Sequence, residues 1–141
     1  MIFIALAAIS YSIAILFLTV ASRHMNTNLT TGVANIISAV VPIAVAIPAL
    51  SRKGLANHKF GLLMAVLAGI FIGIFGMAMA KNYSLNKVGI ITPLVFGGAI
   101  VLSTILSIIF LKEKVTLTQV LGLLVVIAGL GIVTYARATG K

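Results

Sequence analysis

Charged residues cut this chain into five uncharged, apolar runs of nearly equal length, residues 2–22, 29–50, 60–80, 88–111 and 115–136. Each holds 21 to 24 residues. At a helical rise of about 1.5 Å per residue, each would measure roughly 31–36 Å, enough to cross a hydrocarbon core of about 30 Å with some tilt. The runs are continuously apolar rather than alternating, and five is an odd number. Both features exclude a membrane β-barrel of the common kind. The expectation is an all-α, polytopic membrane protein, a single domain over residues 1–141 with five transmembrane helices. Links of three to nine residues make sequential helices antiparallel neighbours.

Composition agrees with a bilayer as solvent. Of 141 residues, 62% are hydrophobic and 8% charged, more apolar surface than a soluble core of this size can hide. Ten Lys and Arg against one acid give a net charge of +9. No basic run is longer than Arg52-Lys53, so the charge reads as membrane-edge placement and no nucleic-acid partner is expected. There is no cysteine, hence no disulfide and no thiolate metal site. His24 and His58 stand beside basic residues in links, without a partner at ligand spacing. No metal and no cofactor are expected. The N-terminus is apolar from Ile2 and lacks a basic leader, which reads as a first span rather than a cleaved signal.

Inside the spans, polar residues and helix breakers mark the candidate positions. Span 1 carries Ser10, Tyr11, Ser12 and Thr19. In span 2, Asn35, Ser38 and Pro42 share one helical face. Pro42 frees a backbone carbonyl and favours a kink. The Asn35 amide must find partners in hydrocarbon, either as glue between helices or as the lining of a wet cavity. Gly69 and Gly73 in span 3 allow close helix approach, with Met64, Met77 and Met79 as adaptable filler. The polar link 81–87 reads as interfacial, with Tyr83 as a membrane-interface anchor. Span 4 meets Pro93 early and is interrupted by Gly97-Gly98. Its Thr92, Phe96, Ser103 and Ser107 form one stripe, which either lines a pathway or packs against a neighbour. Thr116, Leu117 and Thr118 read as the cap of span 5. Gly122, Gly129 and Gly131 follow, and the first two share a face suited to a tight helix contact.

These residues resemble a family. The chain is similar to a single EamA domain of the drug/metabolite transporter superfamily. The clearest match runs from Ala80 to Tyr135. It comprises AKNYSLNKVGIITP, a glycine-broken span 4, the FLKEKVTLTQ turn and GLLVVIAGLGIV. This half also resembles the last two spans of small multidrug resistance proteins. The resemblance implies a membrane transporter, by extension one of a prokaryotic inner membrane. It also implies that a five-helix chain is a half-transporter that must pair, since most family members carry two oppositely oriented domains. One departure matters. Small multidrug resistance proteins place a glutamate in the first span, and here that span has none. Glu113, the only acid, lies in a turn, where it is expected to pair with neighbouring lysines or to support the turn.

Orientation follows the Lys and Arg count. Arg52, Lys53, Lys59, Lys112 and Lys114 fall on one side, and Arg23, Lys81, Lys87, Arg137 and Lys141 on the other. A balance of five against five suits insertion in both orientations and an antiparallel homodimer, with a topology fixed by other factors as the rival. The expected function is transport of small metabolites or drug-like solutes by such a dimer through alternating access. Expected contacts to the solute are Tyr11, Asn35, Ser38, Thr92, Phe96 and Ser103. The alternative is a non-transporting subunit or one half of a heterodimer. An enzyme is not expected, because the spans hold no His, Asp, Glu, Lys or Cys to act as base or nucleophile.

Overall fold

Asn26 turns the first corner. Met25 leaves helical geometry with extended backbone (φ −142°, ψ 171°). The Asn26 side chain then accepts hydrogen bonds from the N–H groups of Asn28 at 2.9 Å and Leu29 at 3.4 Å. Those amides have no helical carbonyl to reach, so an Asn here starts a helix within one residue. In the computed structural model, which describes residues 1–49 and 59–140, two residues thus separate α1 (Ile2–His24) from α2 (Thr27–Ala46).

The helix α2 stops at Ala46 and passes into one 3₁₀ turn, Ile47–Ala49. Pro48 explains this, because it has no N–H for the Ala44 carbonyl and its ring crowds that carbonyl. The end of the second run at Leu50, together with Arg52, Lys53, His58 and Lys141, lies outside the described residues. Next come α3 (Lys59–Leu85) and α4 (Val88–Leu106). A π-helical turn, Ser107–Leu111, extends α4 and closes on Lys112 in the left-handed region (φ 54°). The Glu113 N–H donates to the Ser107 carbonyl at 3.3 Å. It is therefore the backbone of Glu113 that supports the turn. Among the described residues, its carboxylate makes no ion pair with the neighbouring lysines. Thr116 caps α5 (Leu117–Thr139) with a reciprocal pair. Its hydroxyl oxygen accepts from the Gln119 N–H at 3.3 Å, and its N–H donates to Gln119 Oε1 at 2.8 Å.

Among the described residues, five helices, with α4 taken through its π-helical turn to Leu111, are long and apolar enough to span a membrane. The chain forms two compact units, Met1–Leu85 with α1 to α3 and Asn86–Lys141 with α4 and α5. Most large apolar side chains point outward, as expected where lipid replaces water and apolar burial no longer drives packing.

In the first unit the buried residues gather at one end. They are Thr19 and Ser22 of α1, Thr30 and Thr31 of α2, and Met79, Ala80 and Tyr83 of α3. Small and hydroxylated side chains let backbones approach, and each Ser and Thr hydroxyl donates to a carbonyl three or four residues back, as Thr19 does to Ile15 at 2.7 Å and Thr31 to Thr27 at 2.9 Å. Arg23 Nε donates to the Tyr83 carbonyl at 3.3 Å, tying α1 to the end of α3.

This corrects the reading of residues 81–87 as an interfacial link. The helix α3 continues to Leu85, and Tyr83 is fully buried rather than anchored at an interface. The register supplies the reason, since Tyr83 lies one turn from Met79 on the packed face.

In the second unit α4 and α5 form a hairpin. The Leu130 side chain seats on Gly97, where an added Cβ would lie 2.6 Å from Leu130 Cδ2. At the open end of the hairpin, Arg137 Nη2 donates to Asn86 Oδ1 at 2.8 Å.

Candidate functional site

The helices of the first unit close around Thr31 and Tyr83 and stand apart further along. The gap is a groove of about 350 Å³ lined by Tyr11, Ala14, Ile15 and Leu18 of α1, Ala34, Asn35 and Ser38 of α2, and Ile72, Phe75 and Gly76 of α3. Its polar groups sit on α1 and α2, and α3 supplies an aromatic and aliphatic wall.

Asn35 is the ninth residue of α2, about 12 Å along the helix at 1.5 Å per residue. It is exposed to the groove. Its backbone carbonyl accepts from Ser38 Oγ at 3.0 Å. Its side-chain amide makes no hydrogen bond among the described residues. An amide left without partners in hydrocarbon costs roughly 2–7 kcal/mol, so the Asn35 side chain calls for a polar partner from outside the unit, be it a solute, water or another helix. Pro42 adds a second polar feature. It has no N–H for the carbonyl of Ser38, four residues back, so an acceptor is freed on the groove-lining turn. Tyr11, Asn35 and Ser38 thus line one groove, which holds a phenol, an amide and a freed carbonyl.

The other three expected contacts belong to the second unit. Thr92 and Phe96 of α4 are half-buried and Ser103 is exposed, its hydroxyl donating to the Ile100 carbonyl at 3.0 Å. Pro93 is the sixth residue of α4 and leaves the Gly89 carbonyl without its helical donor. A separate furrow between α4 and α5, about 360 Å³, is lined by Ile100, Thr104, Gln119, Gly122, Leu123 and Val126.

The glycines divide sharply. Gly97 carries the close contact with Leu130, whereas an added Cβ at Gly98, Gly69, Gly73, Gly122, Gly129 or Gly131 would meet nothing within 4 Å. Within the first unit the close contact of α3 with α2 falls at Gly76 rather than at Gly69 or Gly73, and a Cβ there would come 3.0 Å from Thr31 Cγ2. Phase explains this. The face of α3 bearing Ile72, Phe75 and Gly76 is the one turned to α1 and α2. Ile72 and Phe75 line the groove without standing out in the sequence, and their spacing with Gly76 is the available signal for that face.

The family model for EamA-like transporters matches residues 1–135 of the chain. The chain belongs to the EamA-like transporter family. No curated protein and no solved structure matches it. Membership and five membrane-length helices together make this EamA-like protein an integral, multi-pass membrane protein with a general transporter role.

Proposed function

We propose that this EamA-like protein carries small metabolites or drug-like solutes, with the groove of the first unit as the solute site and Tyr11, Asn35 and Ser38 as its polar contacts. The observation that carries this reading is the Asn35 amide, which faces a groove of about 350 Å³ without a hydrogen-bond partner among the described residues. The only acid of the chain is Glu113, in the turn before α5. With no acid in a span to balance a cation, neutral, zwitterionic or amphiphilic solutes fit better than quaternary ammonium compounds. Thr92, Phe96 and Ser103 are a second set of candidate contacts on α4.

The proposed assembly is an antiparallel homodimer in the inner membrane of a prokaryotic cell. Two copies of opposite orientation would supply the inverted repeat on which alternating access rests. The equal Lys and Arg counts on the two sides support it. A reporter fused after Lys141 tests the orientation, and signal is expected from both sides of the membrane. Signal from one side only would remove the dual-topology dimer and favour the rival, a subunit that needs a partner of fixed, opposite orientation. Purified protein reconstituted alone should then move members of a panel of labelled neutral and zwitterionic metabolites and amphiphilic dyes into liposomes. A stable homodimer that moves none of them contradicts the transport reading.

A further inference from the structure

Gly76 lines the groove and lies where α3 comes close to α2. A Cβ built there would lie 3.0 Å from Thr31 Cγ2, 3.7 Å from Asn35 Nδ2 and 3.8 Å from Asn35 Oδ1. Thr31 has little freedom to yield. It is buried, β-branched, and held by its hydroxyl, which donates to the Thr27 carbonyl at 2.9 Å and approaches the Gly76 carbonyl at 3.4 Å. Asn35 lies one helical turn beyond Thr31 on the same face of α2. Anything that separates α3 from α2 at Thr31 therefore displaces the Asn35 amide.

We infer that Gly76 is a positioning residue for the solute site: its missing side chain lets α2 pack against α3 at Thr31 and so sets where the Asn35 amide stands in the groove. The inference rests on the proposed role of the groove. It makes Gly76 a determinant of selectivity that need not touch the solute. It also separates Gly76 from Gly69 and Gly73, where a methyl group would meet nothing within 4 Å.

The chain has no cysteine, so Asn35→Cys places a single thiol in the groove. Its reaction rate with N-ethylmaleimide then reports access to position 35 without any solute. Adding Gly76→Ala should change that rate at least about threefold, because the extra methyl pushes α2 away at Thr31 and so moves position 35. Adding Thr31→Ser as well deletes only the crowded Cγ2 methyl and keeps the hydroxyl, and should return the rate to within about twofold of the Asn35→Cys protein. With Asn35 retained, Gly76→Ala should lower liposome transport roughly tenfold, and Thr31→Ser should restore it. A rate unchanged by Gly76→Ala, or a defect that Thr31→Ser does not repair, overturns the inference. Failure of the groove reading shows separately: Asn35→Leu would then transport normally.

Discussion

The two units draw on the same residue types and use them differently. In the first, α1 to α3 close on hydroxyls, small residues and Tyr83 at one end, and the groove beyond keeps the Asn35 amide available. In the second, α4 and α5 meet through an aliphatic peg, Leu130 on Gly97. Hydroxyls in both units turn back to their own helices, Thr19 donating to Ile15 at 2.7 Å in the first, and Thr104 to Ile100 at 2.9 Å and Thr134 to Leu130 at 2.8 Å in the second, so the difference lies in the Asn35 amide. Hydroxyls can satisfy themselves on a carbonyl one turn back, but a carboxamide such as Asn35 carries more donors and acceptors than one turn can serve. Where a membrane helix holds an amide rather than a hydroxyl, the surplus polarity points outward, and a binding role becomes physically available.

The largest structural effect that would break this contrast lies at the peg. Gly97→Val puts two methyl groups where even a Cβ has no room, and should destabilise the hairpin by about 1–3 kcal/mol. Thermal unfolding in detergent measures it, and Gly98→Val, facing open space, should cost clearly less. Equal losses at the two glycines would mean that Leu130 does not seat on Gly97. A smaller effect is expected at the start of α5. Thr116→Ala removes one half of the reciprocal cap and should cost about 1 kcal/mol, read in the same unfolding assay. No change would mean that the turn at 112–116 is held by the π-helical closure on Lys112 alone.

Much of the architecture was legible because charge and polarity obey the bilayer. The five spans, the antiparallel neighbours within each unit and the Thr116 cap follow from where charged residues interrupt apolar runs. Helix ends were less legible. The polar residues 81–85 have no reason to leave a helix once its end is packed, so α3 runs on and buries Tyr83. Pro48 ends α2 early. The polar part of the candidate site was half legible. Tyr11, Asn35 and Ser38 stood out as polar groups inside spans, and helical phase does place them on one groove. Phase within a helix does not say which neighbour a face meets, however. For that reason Gly76 rather than Gly69 and Gly73 carries the close contact, Gly97 rather than Gly98 receives Leu130, and the spacing of Ile72 and Phe75 with Gly76 groups them on one face without saying that it is a wall of the groove.

The account stands most directly on liposome transport by Asn35→Leu measured beside Thr134→Val. The first removes the available amide of the first unit, and the second a hydroxyl of the second unit already satisfied by its own helix. The expected result is loss of transport by folded Asn35→Leu protein, with Thr134→Val within about twofold of the unaltered chain. Normal transport by Asn35→Leu would contradict the assignment of the groove as the solute site.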